Sequence, residues 1–143
     1  MNDRIEQILA KKGSHVEVIA PEDHVMTAVE LMNARRIGSL LVISNGRLAG
    51  ILTERDLLKR VLAARLDPAT TLVRDVMTRE LIVVGPQDTL GDALAIITRN
   101  RCRHLPVVDG DKLLGMVSAG DLNAWLVRDQ QMTIYDLTDY ICR

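Results

Sequence analysis

An internal repeat constrains this chain to a fold built from two similar halves. When the sequence is shifted by 65 residues, Pro21 aligns with Pro86, and the alignment runs without a gap from Val18 to Leu57. Identical pairs include Asp56 with Asp121, and many of the other pairs exchange one aliphatic residue for another. The chain is therefore two copies of one supersecondary unit, copy 1 and copy 2. We expect the two copies to cover each other's apolar face about a pseudo-twofold axis.

Hydrophobic periodicity predicts the same order of elements in each copy: strand, helix, strand, strand, helix. In copy 1, a β-rich run at 16–19 ends at Pro21, and a helical stripe spaced i, i+3, i+4, i+7 begins at Val25. Two apolar runs flank the turn Asn45-Gly46 and predict a hairpin, and a second helix begins after Thr53. In copy 2 the equivalent first strand is the run 81–84. The fold class is α/β (α+β), with helices packed on two small sheets.

The repeat also divides the chain. We expect an N-terminal helix plus copy 1 over 1–64, a linker over 65–78, copy 2 over 79–130 and a C-terminal helix over 131–143. Both flanking segments place apolar residues on one helical face, so we expect them to pack on the module or on a second subunit. These residues are Ile5, Ile8 and Leu9 at one end and Ile134, Leu137 and Ile141 at the other.

Composition excludes several classes of protein. A net charge of -1, no Phe, one Trp and two Tyr leave no basic face for phosphates and little for bases to stack on, so nucleic acid is not an expected partner. No apolar run approaches the ~18 residues of a membrane span, and the first 13 residues lack the apolar core of a signal peptide. We expect no membrane association and a cytoplasmic protein. Cys102 and Cys142 are then reduced thiols.

The end of the third strand carries the most informative pattern. Gly50–Asp56 reads GILTERD, and Gly115–Asp121 repeats its glycine, hydroxyl residue and aspartate. A hydroxyl residue followed three positions later by an acid is a capping box, which satisfies free N–H groups at a helix start. A carboxylate beside a hydroxyl also suits the two hydroxyl groups of a ribose, because both of its oxygens accept hydrogen bonds. The residues leave both interpretations open.

This pattern resembles the CBS motif, named after cystathionine β-synthase. Two CBS motifs in tandem form a Bateman module, and the resemblance covers roughly Met1 to Val127. It includes the segment Val73–Thr78, which commonly opens a second copy, and it is similar to small stand-alone bacterial CBS pairs. The resemblance implies two β-α-β-β-α repeats and a regulatory domain that binds adenosine-containing ligands in two clefts between them.

The resemblance also implies roles for individual residues. In one cleft, Thr53 and Asp56 bind the ribose, and Arg55 is within reach of a phosphate. Ile82 and Cys102 flank the adenine in this cleft, and the segment with Arg103, His104 and Pro106 lies near the phosphates. The second cleft combines Ser118 and Asp121 for the ribose with Glu17, Ile37, Gly38 and Ser39 around the base.

The two clefts differ in charge. The segment Arg103–Pro106 supplies cations and a proline ring, whereas the matching Gly38–Leu41 is neutral. Charged nucleotides should therefore bind more tightly beside Arg103. AMP is the first expected ligand, followed by ADP, ATP, NAD or S-adenosylmethionine, because such a site recognises the shared adenosine more than the tail.

No obligatory cofactor, catalytic residue or metal site is expected. His15, His24 and His104 lack metal-ligand spacing, and Asp56 and Asp121 have no nucleophile or base beside them. The sequence favours a non-enzymatic homodimer that signals to an unknown effector protein. A ligand-free dimerisation scaffold is the alternative, in which the capping boxes only cap helices. A small nucleotide hydrolase is a third interpretation.

Overall fold

The computed structural model describes residues 1–141, and the side chains of all of these except 132, 133 and 135–141. The chain forms six α-helices, a π-helical segment and five strands within that range. In chain order the elements are α1 (Ile5–Lys12), β1 (Val18–Ile19), α2 (Val25–Arg35), β2 (Ser39–Ser44), β3 (Arg47–Thr53), α3 (Glu54–Asp56), the π-helical segment Leu57–Leu62, α4 (Val73–Val76), α5 (Leu90–Asn100), β4 (His104–Asp109), β5 (Lys112–Ser118) and α6 (Ala119–Ile141). None of the helices within residues 1–141 has both the length and the hydropathy that a bilayer crossing requires.

The chain divides into two compact units. Unit 2 comprises His15–Ile82 with Asp111–Leu113 and contains copy 1. Its three-stranded sheet has the order β1-β2-β3, with β1 parallel to β2 and β2 antiparallel to β3. At the β2–β3 turn, Asn45 and Gly46 have φ values of 52° and 77°, because a tight two-residue hairpin requires positive φ at both positions.

The core of unit 2 lies between this sheet and the helices of copy 1. Val25, Ala28 and Met32 of α2 are buried there together with Leu40 and Leu52 of the sheet. The linker helix α4 closes the core with Val73 and Val76. Burial of these apolar side chains is the main favourable contribution to folding of the unit.

Unit 1 comprises Met1–Ser14, Val83–Gly110 and the chain from Leu114 onward, and it contains copy 2. Strands β4 and β5 form a two-stranded sheet, and the core includes Leu90 of α5, Leu105 of β4 and Leu122 of α6. The N-terminal helix α1 buries Ile5 and Ile8 in this same core. It therefore packs on copy 2, although the sequence grouped residues 1–64 as an N-terminal helix with copy 1.

The predicted α+β class is confirmed, and the predicted element order holds throughout copy 1. Copy 2 departs from it, because the run 81–84 forms only one parallel bridge, between Val84 and Val107, rather than a strand. Helix α6 is continuous to Ile141, so residues 131–141, which were predicted as part of a separate helix over 131–143, extend the last helix of copy 2. The side chains of Leu137 and Ile141, which were predicted on an apolar face, and the whole of Cys142 lie outside the described part of the structure.

Candidate functional site

Two strand-to-helix junctions have the same reciprocal hydrogen bonds. At the Asp56 junction, the Thr53 N–H donates to Asp56 Oδ2 at 3.0 Å, and the Asp56 N–H donates to Thr53 Oγ1 at 3.3 Å. At the Asp121 junction, the Ser118 N–H donates to Asp121 Oδ2 at 2.8 Å, and the Asp121 N–H donates to Ser118 Oγ at 3.1 Å. Both are capping boxes, and each fixes the position of its carboxylate.

A third capping box shows that this arrangement by itself does not mark a site. At the start of α5, Thr89 and Asp92 exchange the same two bonds, each at 3.1 Å, in an exposed position. The backbone N–H and the hydroxyl of Thr89 lower the pKa of Asp92. The Asp56 and Asp121 junctions are distinguished instead by the groups that reach their carboxylates from distant parts of the chain.

Asp56 is buried and is held by the end of the linker. It is 8% exposed, and its Oδ1 accepts a hydrogen bond from Thr78 Oγ1 at 3.0 Å. Thr78 is fixed in turn, because its backbone exchanges two hydrogen bonds with Ile51 of β3, at 2.9 and 3.0 Å. Gly50 permits this close approach, since a Cβ there would lie 2.7 Å from the Thr78 carbonyl oxygen. A neutral hydroxyl thus completes the Asp56 junction.

A cation completes the Asp121 junction. Lys12 Nζ, at the end of α1, lies 2.6 Å from Asp121 Oδ2 and donates to the Met116 carbonyl oxygen at 2.6 Å. The two side chains are 33% and 28% exposed. Partial burial acts to raise the pKa of Asp121, but the hydrogen bonds from Lys12 and from the Ser118 backbone outweigh it and lower the pKa. The carboxylate is therefore ionised at neutral pH.

Helix α4, which precedes Thr78, and helix α1, which ends at Lys12, dock in equivalent ways. In unit 2, the Val73 N–H at the start of α4 donates to the Asp23 carbonyl oxygen at 2.8 Å. In unit 1, the Ile5 N–H at the start of α1 donates to the Asp88 carbonyl oxygen, also at 2.8 Å. Asp23 and Asp88 are partners in the repeat. Helices α1 and α4 are therefore equivalent elements, and each brings one polar side chain to the aspartate of its own unit.

The CBS-domain family model matches residues 6–63 and 73–128, which together span most of the chain. The chain belongs to the CBS-domain family. The first matched segment includes α1 and copy 1, and the second begins at α4 and runs through copy 2. The resemblance drawn from the two GxxT/SxxD patterns is confirmed.

Close relatives are small CBS-domain proteins. The mitochondrial CBS domain-containing protein CBSX3 of Arabidopsis thaliana is 37% identical over 146 residues, which cover 96% of this chain and 71% of that protein. The CBS domain-containing protein YhcV of Bacillus subtilis is 35% identical over 109 residues, which cover 76% of this chain and 77% of that protein. A crystal structure of a CBS domain, NE2398, superposes with a TM-score of 0.84 at 38% identity and covers 87% of this chain and 98% of its own.

Within each CBS copy, a backbone hydrogen bond joins the residue just before the second strand to the first residue of the second helix. The Arg103 carbonyl oxygen accepts from the Ala119 N–H at 2.8 Å, and the Gly38 carbonyl oxygen accepts from the Glu54 N–H at 3.0 Å. The backbone of Arg103 therefore lies beside Ser118 and Asp121 of its own copy. The predicted clefts combine residues of both units, and that combination remains a prediction.

A cavity of about 340 Å³ in unit 2 brings together two of the predicted base-binding residues. Ile37 and Gly38 line it with Arg36, Glu54 and Leu57. Its volume is at the lower end of the range of small-molecule pockets, ~300–1,000 Å³. Glu17 and Ser39, which were predicted beside the same base, do not line this cavity.

The remaining predicted site residues have varied surroundings. The Glu17 carboxylate accepts from His15 Nε2 at 3.0 Å and lies 3.5 Å from Arg35 Nε, and the His15 hydrogen bond is the main cause that lowers its pKa. Burial raises the pKa of the Cys102 thiol, so this side chain is neutral at neutral pH. Ile82 is 37% exposed. Arg55 and Arg103 are exposed, His104 is half-buried and Pro106 is buried.

Two residues of these junctions, Thr78 and Lys12, were not predicted from the sequence. Both lie outside the GxxT/SxxD pattern and reach the carboxylates only because α4 and α1 dock on the repeat. Thr78 belongs to the segment that carried the family resemblance, whereas Lys12 had no signal beyond its place on an amphipathic helix. Across the residues that the structure describes, no cluster of three or more His, Cys, Asp or Glu side chains is arranged to hold a metal ion.

Proposed function

We propose that this chain is a regulatory module that binds adenosine nucleotides, with AMP as the first candidate, and that Asp56 and Asp121 bind the ribose hydroxyls. A CBS pair is a regulatory module, and such modules often bind nucleotides. The observation that carries the proposal is the repetition of one junction in both copies. In each, a hydroxyl side chain and a carboxylate are held side by side by their own backbone.

The junction geometry suits a ribose. A carboxylate offers about four acceptor positions, and the capping bond from the backbone uses only one. The Thr53 hydroxyl accepts from the Asp56 N–H and keeps its own proton to donate to a sugar oxygen. Because the capping bonds already fix both side chains, little conformational entropy is lost when they bind a diol.

The other predicted residues would contact the rest of the nucleotide. For a ribose on Asp56, the family resemblance would assign Ile82 and Cys102 to the adenine and Arg103 and His104 to the phosphates. The neutral thiol of Cys102 is compatible with an apolar contact to the base. For a ribose on Asp121, the family resemblance would assign Glu17, Ile37, Gly38 and Ser39 to the base.

Ligand-induced stabilisation tests the proposal. AMP, ADP, ATP, NAD and S-adenosylmethionine are added separately while the melting temperature is recorded, and mass spectrometry identifies any compound that copurifies with the protein. Saturation at 100 times Kd should stabilise the fold by about 2.7 kcal/mol. A melting temperature unchanged by every compound would refute nucleotide binding.

A matched set of variants separates binding from capping. Asp56→Ala, Asp121→Ala and Asp92→Ala each remove the acid of one capping box, so all three should lower the melting temperature of the free protein. Only Asp56→Ala and Asp121→Ala should reduce the stabilisation by AMP. If AMP stabilised all three variants equally, Asp56 and Asp121 would have no role beyond capping their helices.

A dimerisation scaffold is the second candidate, and exposed apolar side chains favour it. Leu58 and Leu62 are 60% and 65% exposed, and Val127, the repeat partner of Leu62, is 51% exposed. A hexameric CBS-CP12 protein from cyanobacteria superposes with a TM-score of 0.75 at 29% identity, covering 85% of this chain and 67% of its own. Light scattering of Leu62→Glu and Val127→Glu tests the expected homodimer. The scaffold would be favoured if these variants were monomeric, the wild-type protein were a dimer, and no nucleotide raised its melting temperature.

The module acts through another protein rather than through catalysis of its own. A matching region also occurs within inosine-5′-monophosphate dehydrogenase of Korarchaeum cryptofilum, at 37% identity over 108 residues, which is 21% of that enzyme. A ligand shifts the module toward one conformation only by binding that conformation more tightly. Steady hydrolysis of ATP or NAD by the pure protein would contradict this assignment.

A further inference from the structure

The two junctions differ in the group that contacts the aspartate, which is an ammonium at Asp121 and a hydroxyl at Asp56. Lys12 Nζ contacts both Asp121 Oδ2 and the Met116 carbonyl oxygen, whereas Asp56 is contacted by the uncharged hydroxyl of Thr78. Met116 is the repeat partner of Ile51, whose carbonyl oxygen accepts from the Thr78 N–H. Lys12 thus takes, in unit 1, the place that Thr78 takes in unit 2.

The base of the Lys12 side chain is fixed by α1, whereas its ammonium group is held by two polar contacts at a partly exposed position. Ile5, Ile8 and Leu9 of α1 are buried in the core of unit 1, and the Gly13 N–H closes the helix onto the Leu9 carbonyl oxygen at 2.7 Å. The ammonium group lies on a flexible four-carbon stem, and a third of the side chain is exposed. A pair with this exposure contributes little net stability, so a ligand can displace the ammonium at low cost.

We propose that Lys12 is the specificity-determining residue of the Asp121 junction and that it selects adenosine ligands with a negatively charged 5′ substituent. The inference rests on the proposed function, because it requires a ribose on Asp121. A ribose hydroxyl that binds Asp121 takes the place of the ammonium, which stays within reach of the site on its stem. A 5′-phosphate then pairs with the released cation, whereas adenosine offers it no anion.

This inference changes the expected charge of the second cleft. On sequence alone that cleft was neutral, because Gly38–Leu41 lacks the cations of Arg103–Pro106. Lys12 comes from a different element and supplies a positive charge in direct contact with Asp121. Both junctions are then able to bind a phosphorylated nucleoside, each through a cation from a different part of the chain.

A site-resolved titration tests this role of Lys12. Backbone amide resonances of Ser118 and Asp121 report on one junction, and those of Thr53 and Asp56 report on the other. AMP and adenosine are titrated separately into the wild-type protein, Lys12→Met and Lys11→Met. Lys11 is the matched control, since it precedes Lys12 on α1 and is exposed.

In Lys12→Met, the AMP affinity measured at Ser118 and Asp121 should fall about tenfold, because one charge-assisted contact to phosphate is lost. The adenosine affinity there should be unchanged or higher, and the AMP affinity at Thr53 and Asp56 should be unchanged. Lys11→Met should behave as wild type. Equal changes for AMP and adenosine, or the same loss in Lys11→Met, would overturn the role of Lys12 and leave nucleotide binding intact. Amides that respond to neither ligand in the wild-type protein would refute the proposed function itself, and this inference with it.

Discussion

The hydroxyl of Thr78 donates a hydrogen bond to Asp56 Oδ1 at 3.0 Å across 22 residues of sequence. It joins the end of the linker to the capped aspartate of copy 1 and gives the buried carboxylate a second hydrogen-bond donor. In copy 2 the equivalent carboxylate of Asp121 is paired with Lys12 instead. One repeated motif is therefore completed by a neutral donor in one copy and by a charged donor in the other.

Thr78→Val should destabilise the protein by about 1–2 kcal/mol, because it leaves a buried carboxylate oxygen of Asp56 without its donor. Urea denaturation measures this change. Thr98→Val is the control, since it makes the same substitution at an exposed position of α5, where a surface change stays within about 0.5 kcal/mol. Equal losses in the two variants would mean that the Thr78–Asp56 bond contributes nothing to stability.

Gly50→Ala should destabilise the protein by about 1–3 kcal/mol through overpacking. The new Cβ would lie 2.7 Å from the Thr78 carbonyl oxygen, which is backbone and is held by the bonds to Ile51. Gly91→Ala is the matched control, because its Cβ would have no neighbour nearer than 3.4 Å and α5 gains an alanine. That control should be neutral or stabilising by up to about 1 kcal/mol. If Gly50→Ala were as stable as the wild-type protein, the Thr78 carbonyl would be able to move away from β3 at little energetic cost.

Arg103→Ala should weaken AMP binding much more than adenosine binding, because the guanidinium group is expected to pair with the phosphate. Isothermal titration calorimetry with the two ligands measures the difference. Arg99→Ala, an exposed cation near the end of α5, controls for the overall loss of charge. Equal losses for AMP and adenosine would contradict the assignment of Arg103 to the phosphates.

The ionised form of Asp121 should stabilise the fold above the ordinary aspartate pKa of 3.8. Its pKa is lowered in the folded protein, so the unfolded chain takes up the proton first as the pH falls. The stability difference between wild type and Asp121→Asn should be constant from neutral pH down to about 5 and should shrink below 3.8, as the pH falls through the folded pKa.

Denaturation curves at several pH values measure the Asp121→Asn difference. The same comparison in a Lys12→Met background should give a smaller difference at neutral pH, since the cation that favours the ionised form is gone. A difference that does not change between pH 7 and pH 3 would show that the charge of Asp121 has no part in stability.

Local periodicity predicted most elements of the fold. The stripe that begins at Val25 forms α2, and the turn Asn45-Gly46 joins β2 to β3 as expected. The run 81–84 was predicted to be a strand, but only Val84 pairs, with β4. Residues 82 and 83 are exposed there, so the apolar pattern of this run does not correspond to a buried strand.

The candidate site was predictable only where its parts are close in sequence. The pairs Thr53 with Asp56 and Ser118 with Asp121 are three residues apart, and their reciprocal bonds follow from the geometry of a helix start. The partner of each carboxylate could not be predicted in this way. Thr78 and Lys12 reach Asp56 and Asp121 across 22 and 109 residues, and no local pattern encodes such a distance.

By itself, the sequence determined the duplication, the order of elements in copy 1 and the two capped aspartates, because periodicity and capping depend on residues within one or two helical turns. The tertiary structure alone decided which helix docks on which copy. Helix α1 precedes copy 1 but is buried in the core of copy 2. Long-range burial of Ile5 and Ile8 thus places Lys12, rather than a neutral group, on Asp121.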